Sequence, residues 1–233
     1  MEKEVVMITG ASSGLGAALA KQYMSIGAHV CLVGRSRETL RTTIENDSKH
    51  YSIYEGDITD KSDVTRIVFQ IEDEVGKVDM LINNAGVGFF GLAEDLSEPD
   101  LSTMIDVNVK GTIYCTQAIL PEMKKRNKGT IVNIISTAGR LGKANESGYV
   151  ASKFAVRGFT ESLQAELAHT MIRVSGVYMG GMNTPFWEGI LPVEKRELMM
   201  QPEDVAEIIV HNLQERRHVS VEEIVIKNKK PNK

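Results

Sequence analysis

Cysteine is scarce in this chain, with only Cys31 and Cys115 among 233 residues. A fold that is held together by disulfides needs more of them, so we expect a reducing, cytoplasmic setting. Positive charge is not in excess either, because 27 lysines and arginines stand against 31 aspartates and glutamates. The net charge of −4 provides no basic surface of the kind that nucleic acid requires, so we expect no nucleic-acid partner.

Long apolar runs and clusters of metal ligands are also missing. No run approaches the roughly 18 apolar residues that a membrane span needs, and the charged start lacks the pattern of a signal peptide. The histidines are scattered along the sequence, at His29, His50, His169, His211 and His218. None of them stands at metal-ligand spacing from another candidate ligand. We therefore expect neither a membrane partner nor a metal site.

Apolar runs alternate with helical patterns from one end of the chain to the other. Several runs are unbroken in valine, isoleucine and leucine, as in strands that are buried on both faces. The predicted strands are 4–9, 29–34, 51–55, 80–83, 130–136, 173–179 and 223–227. The predicted helices are 15–26, 37–47, 62–75, 101–123, 149–170 and 204–216. This alternation predicts an α/β fold with a doubly wound parallel sheet of about seven strands and helices on both faces.

A glycine-rich turn joins the first predicted strand to the first predicted helix. Glycine there lets the backbone turn tightly and approach a pyrophosphate at the amino end of the helix. The spacing of Gly10, Gly14 and Gly16 is one residue longer than the common Gly-x-Gly-x-x-Gly pattern, and a turn without a ligand is the alternative. The residues predicted to bind a dinucleotide here are Gly10, Ser12, Ser13, Gly14, Leu15 and Gly16.

Arg35 directly follows the second predicted strand. Many NAD enzymes carry a carboxylate at this point, where it accepts hydrogen bonds from the ribose hydroxyls. A carboxylate repels a 2′-phosphate, whereas a guanidinium binds it through two hydrogen bonds. We therefore predict NADP(H) as the cofactor, with Arg35 as the main discriminator and Ser12, Ser36 and Arg37 as helpers. The alternative is that Arg35 and Arg37 only begin a solvated helix.

Two more segments follow predicted strands and are candidates for cofactor binding. Asp57 can accept from an adenine amino group, with the backbone of Ile58 beside it, or it can cap a turn. The small residues in the segment Asn84, Ala85 and Gly86 let the backbone approach a ribose closely. Ligands of open parallel sheets lie beyond the carboxyl ends of the strands, where both segments are placed.

Tyr149 and Lys153 stand four residues apart on one face of a predicted helix. A neighbouring ammonium and an oxidised nicotinamide both favour a phenolate, so we expect the pKa of Tyr149 to fall from about 10 towards 7. Tyr149 would then give a proton to a carbonyl or take one from an alcohol. Ser136, at a strand end, either holds the reacting oxygen or caps a turn. Asn108 breaks a helical pattern, and we prefer a role in holding a water next to Lys153 over a plain irregularity.

Together these residues resemble the short-chain dehydrogenase/reductase family. The likeness is carried by 9–16 (TGASSGLG), 83–86 (NNAG), Asn108, Ser136 and 149–153 (YVASK). It implies one Rossmann-like domain over residues 1–233 and a nicotinamide cofactor. It also implies a catalytic tetrad of Asn108, Ser136, Tyr149 and Lys153. In that family the lysine also binds the nicotinamide ribose, and Thr184 corresponds to the residue that binds the carboxamide. The Gly34-Arg35 pair resembles the pattern of members that prefer NADP.

The chain departs from the family pattern at two places. Met179-Gly180 stands where most members have Pro-Gly, so we expect a differently shaped loop on the nicotinamide side. The carboxyl end, 218–227, lacks the usual glycine-rich segment and resembles the branch of NADP-dependent 3-hydroxy acid (serine-type) dehydrogenases. The long helices 101–123 and 149–170 are expected to expose apolar stripes, which predict a homodimer or homotetramer.

The segment 185–200 mixes apolar and charged residues, as is typical of an amphipathic lid over a substrate. The predicted substrate contacts are Ser136, Tyr149, Phe186 and Trp187. The apolar wall of the substrate site is expected to include also Phe89, Phe90, Leu141 and Met182. Arg140 is a candidate for binding a substrate carboxylate, although a structural or solvated arginine is the favoured interpretation.

The predicted function is that of an NADP(H)-dependent oxidoreductase. A hydride moves between the nicotinamide and a small carbonyl or secondary-alcohol substrate, with Tyr149 as general acid/base. One alternative is a catalytically silent NADP(H)-binding regulator with the same fold. Another is a sugar-nucleotide epimerase or dehydratase, which needs an additional substrate domain that 233 residues leave little room for.

Overall fold

The computed structural model describes residues 3–43, 49–216 and 218–229. Its seven strands form one sheet in the order β3-β2-β1-β4-β5-β6-β7, and every neighbouring pair is parallel. The strands are β1 (Val5–Thr9), β2 (His29–Gly34), β3 (Tyr51–Glu55), β4 (Met80–Asn83), β5 (Gly129–Ile134), β6 (Ile172–Met179) and β7 (Glu223–Ile226). The predicted doubly wound, Rossmann-like α/β fold is confirmed.

Helices cover both faces of the sheet. They are α1 (Gly14–Ser25), α2 (Arg37–Thr42), α3 (Lys61–Glu74), α4 (Glu98–Met104), α5 (Thr112–Arg126), α6 (Ser147–Leu167), α7 (Val193–Glu197) and α8 (Pro202–Leu213). A π-helical segment, Ile105–Gly111, joins α4 to α5. None of the helices among the described residues is both long and apolar enough to cross a membrane.

Alternate side chains of each central strand enter two separate cores. In β1, Val6 and Ile8 pack with α1 and α8 on one face, whereas Val5 and Met7 pack with α3, α5 and α6 on the other. All five residues of β1 are buried, which explains why Val5 to Ile8 form an unbroken apolar run instead of alternating with polar residues. The strand order reverses between β1 and β4, and this reversal opens a crevice at the carboxyl ends of the strands.

Most predicted elements differ from the structure by one to three residues at an end, and three differences deserve a description. The fifth strand stops at Ile134, so that Ser136 lies beyond it in a turn. The predicted helix 101–123 is interrupted by the π-helical segment, where asparagine and glycine disfavour regular helix. The predicted helix 37–47 is seen as α2 up to Thr42, and its part 44–48 lies outside the described residues.

Candidate active site

A cleft of about 370 Å³ lies at the carboxyl ends of the strands. It runs from the turn between β1 and α1, past the ends of β2, β4 and β5, to α6 and the segment after β6. The predicted cofactor residues that line it are Gly10, Ser12, Ser13, Gly14, Leu15, Arg35, Asp57, Ile58, Asn84, Ala85, Gly86, Tyr149, Lys153 and Thr184. The fold thus brings nearly all of the predicted cofactor residues to one groove.

The turn at the head of α1 suits a diphosphate. Gly10 and Gly14 have φ angles of 63° and 53°, which favour glycine, and a Cβ on Gly10 would lie 2.8 Å from Ala85 Cα. Among the residues described, Ser13 makes no side-chain cap to α1, whose first turn carries no acidic residue. The amide groups of that turn and the positive end of the helix are therefore free to hold an anion.

Gly16 lies outside the lining that the described residues give the cleft. A Cβ at this position would stand 2.3 Å from the Gly10 carbonyl oxygen and 2.6 Å from Asn84 Nδ2. Asn84 Nδ2 itself donates to the carbonyl oxygens of Thr9 and Gly10, at 3.0 and 3.1 Å. The structure thus gives Gly16 a packing position beneath the turn, where it lets α1 approach the ends of β1 and β4.

Changing Gly16 to alanine is expected to lower the free energy of unfolding by about 1–3 kcal/mol, because the methyl group overpacks this contact. Urea denaturation measures the loss. Gly158→Ala is the matched control, since a Cβ at that position in α6 meets nothing within 4 Å in the described structure and alanine favours helix. Equal stability of the Gly16 variant and the wild type would contradict the packing position.

Arg35 stands at the adenosine end of the cleft with an exposed side chain. A second depression of about 690 Å³ continues from this point, and Arg35, Arg37 and Arg66 contribute to its wall. Arg66 is engaged by Asp63 at 2.6 Å, whereas no ion-pair partner of Arg35 occurs in the described part of the chain. Arg35 is therefore an exposed cation at this end of the cleft that has no ion-pair partner among the described residues.

The predicted helpers of Arg35 have other partners. Ser36 Oγ accepts from the Thr39 backbone N–H at 3.3 Å and so caps α2. Arg37 Nη1 lies 3.5 Å from the Ile53 carbonyl oxygen, and its side chain is exposed. Ser12 lines the cleft, and its carbonyl oxygen accepts from Thr43 Oγ1 at 2.9 Å.

Asp57 lines the cleft and also caps a turn. Its Oδ1 accepts from the backbone N–H and the hydroxyl of Thr59, at 2.9 and 2.8 Å. Its own backbone N–H donates to Asp63 Oδ2 at 3.0 Å. The structure shows the turn cap, which fixes the carboxylate at the cleft wall, and binding of an adenine amino group stays a prediction.

Tyr149, Lys153 and Ser136 meet at the other end of the cleft. Tyr149 and Lys153 lie on the first turns of α6, with relative exposures of 8% and 4%. The Ser136 and Tyr149 hydroxyls share a hydrogen bond. Lys153 Nζ donates to the Ile134 carbonyl oxygen at 3.1 Å and lies 5.8 Å from the centre of the Tyr149 ring.

The backbone at Ser136 is strained, with a φ of 101° in a residue that is not glycine. Such a conformation costs on the order of 1–3 kcal/mol and is found preferentially at functional sites. Ser136 Oγ also accepts from the Ala138 backbone N–H at 3.2 Å, so the serine caps a turn as well as reaching Tyr149. The strained turn after β5 holds the hydroxyl at the catalytic end of the cleft.

The protonation of this group differs from the sequence expectation. Burial raises the pKa of Tyr149 to about 12, the hydrogen bond with Ser136 opposes the rise, and the charge of Glu146 adds to it. Burial also lowers the pKa of Lys153 to about 8. The direction is opposite to the predicted fall of the tyrosine pKa, because desolvation disfavours both the phenolate and the ammonium. That fall also depends on the charge of a bound oxidised nicotinamide, so a pKa near 7 in the complex stays a prediction. Burial thus favours the neutral phenol of Tyr149.

Asn108 holds two chain segments together. Its Oδ1 accepts from the Val87 backbone N–H at 2.8 Å, and its Nδ2 donates to the Val87 carbonyl oxygen and to Ser152 Oγ, both at 2.9 Å. Gly86 lies against the same side chain, since a Cβ there would stand 3.3 Å from Asn108 Oδ1 and 3.4 Å from Lys153 Nζ. These hydrogen bonds engage the oxygen and the nitrogen of the Asn108 side-chain amide. A water next to Lys153 would therefore have to be held by other atoms of Asn108.

Replacing Asn108 with alanine is expected to lower the free energy of unfolding by about 2–3 kcal/mol, because Val87 loses partners for both of its backbone groups. The same change should lower kcat, since the segment after β4 borders Lys153. Thermal denaturation and steady-state kinetics measure the two effects. A variant as stable as the wild type would show that the amide does not hold this segment.

Four aromatic rings gather over the catalytic end. The predicted substrate residues Phe186 and Trp187 pack with Phe90, and Phe186 lies 5.8 Å from the Tyr149 ring. Phe90 and Trp187 are stacked at 5.4 Å with 13° between their planes. A Cβ at position 88 would lie 2.7 Å from Phe186 Cζ and 2.9 Å from Phe90 Cζ, so a larger residue there would have to displace these rings.

The predicted lid segment 185–200 forms a closed loop. It begins with the short 3-10 turn Pro185–Trp187, and α7 lies in its second half. Its base is tied by a parallel bridge between Met182 and Met200. Thr184 precedes the loop. A Cβ added to Gly14 would lie 3.1 Å from the Thr184 methyl group, so the loop begins directly over the glycine-rich turn between β1 and α1.

The other predicted wall residues divide into two groups. Met182 lines the cleft, and so does Met179, the residue that replaces the usual proline. Leu141 is 65% exposed and Phe89 38% exposed. Arg140 pairs with Glu223 at 2.9 Å and lies over the Tyr178 ring at 5.0 Å, which is the structural position that the sequence favoured.

Sequence reasoning missed two charged residues at the catalytic end, Lys143 and Glu146. Their side chains form an ion pair at 3.6 Å. The sequence feature that could have revealed Glu146 is its position, three residues before Tyr149 at the start of the same helix. No group of three or more metal-ligating side chains occurs within the described ranges.

Known proteins resemble this chain over nearly its whole length. A model of the short chain dehydrogenase family matches residues 4–194. An uncharacterised oxidoreductase of Staphylococcus epidermidis is 34% identical over 227 residues, which cover 97% of this chain and 98% of the relative.

Two solved structures extend the likeness to three dimensions. The serine dehydrogenase of Escherichia coli is 30% identical with a TM-score of 0.84, over 95% of this chain and 96% of that one. An alcohol dehydrogenase of Thermococcus sibiricus, complexed with 5-hydroxy-NADP, is 26% identical with a TM-score of 0.90 over the full length of both chains. The family match and these neighbours confirm the resemblance that the motifs predicted: the chain belongs to the short-chain dehydrogenase family of oxidoreductases.

Proposed function

We propose that the protein is an NADP(H)-dependent oxidoreductase that acts on a small carbonyl or secondary-alcohol substrate. The observation that carries the proposal is a single cleft that joins the glycine-rich turn between β1 and α1 to Tyr149, Ser136 and Lys153. A silent nucleotide-binding protein has no need for a buried, hydrogen-bonded tyrosine at the far end of such a cleft.

The residues of the cleft fit a bound dinucleotide from end to end. The turn of Gly10 and Gly14 would take the diphosphate, and Arg35 the 2′-phosphate. Gly86 and Lys153 would border the nicotinamide ribose, and Thr184 the carboxamide. The choice of NADP(H) over NAD(H) rests on the exposed guanidinium of Arg35, where a carboxylate would favour NAD(H).

The reaction combines a carbonyl, NADPH and a proton to give an alcohol and NADP⁺. NADPH held by these residues would supply the hydride for the carbonyl carbon. Tyr149 donates its phenolic proton to the carbonyl oxygen, and its buried, neutral state suits this role. The Ser136 hydroxyl holds the same oxygen, and Lys153 carries positive charge next to the developing phenolate below about pH 8. In alcohol oxidation Tyr149 acts as the base.

The residues 1–233 would form one catalytic domain, in which 185–200 serves as a substrate lid. The aromatic contacts of Phe186 and Trp187 over Tyr149 support this proposal. Substrate would reach the tyrosine after the lid moves, and the rings would then exclude water from the reacting groups.

The first test is a titration of the purified protein with NADPH and with NADH, followed by reduced-nicotinamide fluorescence. A panel of small aldehydes, ketones and hydroxy acids comes next. We expect NADPH to bind more tightly than NADH, and the protein to turn over at least one carbonyl. NADPH binding without any turnover would favour the silent regulator, whereas failure to bind either cofactor would overturn the proposal.

We also propose a homodimer or homotetramer. Leu101 in α4 and Phe154 in α6 are 40% and 41% exposed, on the two helical regions expected to form contacts between subunits. Light scattering of the purified protein measures the mass, and a monomer would refute this.

A cytoplasmic location completes the proposal. Both cysteines, Cys31 and Cys115, are free and buried in the structure, as is common in a reducing compartment. Fractionation of the native cells would test the location, and recovery of the protein outside the cytoplasm would contradict it.

A further inference from the structure

Aromatic side chains form the wall of the cleft beside Tyr149, and the reaction proposed above uses them only to exclude water. Phe186 and Trp187 line the cleft and are half-buried. Their rings meet edge to face at 5.1 Å, and Phe186 lies 5.8 Å from the Tyr149 ring. Phe90, which is not among the described residues that line the cleft, contacts all three rings at 5.4–6.1 Å. Ring surface therefore faces the place next to the general acid, where a group bonded to the reacting carbonyl lies.

The rest of this wall is apolar as well. Val87 and Met182 line the same end of the cleft. Sites for small ligands are mostly lined by apolar and aromatic side chains, and a few polar groups fix the orientation of the ligand. Here Ser136 and Tyr149 supply those polar groups for the carbonyl oxygen. The remainder of the substrate thus meets apolar side chains and rings.

The charged residues of the lining offer no free cation at this end. Three of them lie here, Lys143, Glu146 and Lys153. Lys143 forms an ion pair with Glu146 at 3.6 Å. Lys153 Nζ donates to the Ile134 carbonyl oxygen at 3.1 Å, on the side that the proposed function gives to the nicotinamide ribose. Among the described residues that line this end, each cation therefore already has a partner.

Two arginines that could bind a substrate carboxylate are not among the described residues of the lining. Arg140 pairs with Glu223 at 2.9 Å. Arg196, in the lid, lies 3.7 Å from Glu188, and its Nε has no hydrogen-bond partner in the described structure. A substrate carboxylate held against the rings would lose its water without gaining a charged partner, and such burial is costly.

We propose that the substrate is an uncharged ketone with an aromatic substituent, or the corresponding secondary alcohol, and that Phe186 and Trp187 determine this specificity. The inference rests on the proposed function and adds the substrate class to it. When the lid moves, a substrate ring takes over contacts that the aromatic side chains make with one another, and apolar surface stays out of water. The carboxyl end resembles the 3-hydroxy acid dehydrogenases, but the wall of the cleft favours a substrate without a carboxylate.

The kinetic test compares kcat/KM for NADPH-dependent reduction within two matched pairs of ketones. Acetophenone should exceed cyclohexyl methyl ketone by about two- to tenfold, the gain expected from one aromatic pair. Conjugation makes acetophenone the less reactive of the two, so intrinsic reactivity does not explain this order. Para-methylacetophenone should exceed para-acetylbenzoate by about tenfold or more, because the carboxylate stays unpaired.

The reverse order within either pair, or equal values, would overturn the inference. If the acid is preferred, the loss of that preference in Lys143→Met or Arg196→Met would identify the cation that binds it. Turnover in the wrong order leaves the proposed function standing, so the two failures are distinguishable.

A variant pair tests the aromatic wall itself. Phe186→Leu should reduce the preference for acetophenone over cyclohexyl methyl ketone to about one, because leucine supplies apolar contact without a ring. Phe69→Leu is the matched control, since Phe69 lies in α3, is 71% exposed and is not among the described residues that line the cleft. The control should keep the preference of the wild type. An unchanged preference in Phe186→Leu would refute the specificity role of this ring.

A second measurement follows binding without turnover. Trp187 is the only tryptophan of the chain, so its fluorescence reports on this part of the cleft. The protein is titrated in the presence of NADP⁺ with benzamide, cyclohexanecarboxamide and benzoate. Benzamide should change the emission at the lowest concentration, and Phe186→Leu should weaken its effect. Equal or tighter binding of either other probe, or no response to any of them, would overturn the inference. If the expected order appears but no ketone is reduced, the proposed function fails while the preference of the site stands.

Discussion

Replacing Tyr149 with phenylalanine is expected to lower kcat/KM for carbonyl reduction by about 10²- to 10⁴-fold. The change removes the proton donor and leaves the ring, whose contacts with Phe90 and Phe186 keep the site packed. NADPH affinity should stay within about twofold, because the ring still fills its place beside the cofactor groove. Steady-state kinetics and fluorescence titration measure the two quantities.

Tyr178→Phe is the control for this prediction. Tyr178 is also buried, but it lies in β6 beneath Arg140 and not among the residues that form the cleft. The control variant should keep the activity of the wild type within a few-fold. Equal activity of Tyr149→Phe and the wild type would show that the proton comes from another group.

Replacing Arg35 with alanine is expected to lower the preference for NADPH over NADH by about ten- to a hundredfold. The estimate corresponds to the loss of hydrogen bonds from one charged donor to a phosphate, at about 1.5–3 kcal/mol. Arg35→Asp should lower the preference further and favour NADH, because a carboxylate repels the phosphate and accepts from the ribose hydroxyls. The ratio of kcat/KM values with the two cofactors measures the preference.

Arg41→Ala is the control for the loss of one positive charge. Arg41 is an exposed residue in the last turn of α2, away from both depressions. Its replacement should leave the cofactor ratio unchanged. A ratio that is also unchanged in Arg35→Ala would refute the assignment of the 2′-phosphate to this residue.

The architecture could be predicted because each central strand is buried on both faces. In β1 this burial requires the unbroken run of apolar residues from Val5 to Ile8, which no surface strand would carry. The order of strands and helices then placed the polar residues after β1, β2, β4 and β5 at one edge of the sheet. The cleft was thus predictable from local patterns and a general rule of parallel sheets.

The partners of individual side chains were not predictable in the same way. Asn108 was expected to hold a water, yet its amide binds Val87 and Ser152, which are distant in the sequence. Gly16 was expected to bind the cofactor, which stays a prediction, and its close packing against Gly10 and Asn84 was not foreseen. Such contacts depend on how two segments meet in space, and spacing along the chain does not report that.

The direction of the pKa shift of Tyr149 was likewise not predictable from the sequence. The sequence places Lys153 on the same helix face, and this neighbour alone argues for a lowered value. The structure adds burial of the tyrosine and the charge of Glu146, which raise the pKa to about 12 against the opposing hydrogen bond with Ser136. Desolvation is a property of the packed site, so it appears only once the surrounding helices and the aromatic rings are in place.

The most direct test of the account is the transfer of deuterium from NADPH labelled at C4 of the nicotinamide. The protein is incubated with this cofactor and with each carbonyl of the panel, and the alcohols are analysed by mass spectrometry. We expect the wild type to form an alcohol that carries deuterium on the carbinol carbon, and Tyr149→Phe to form none. NADPH binding with no label in any alcohol, or equal labelling by both proteins, would contradict it.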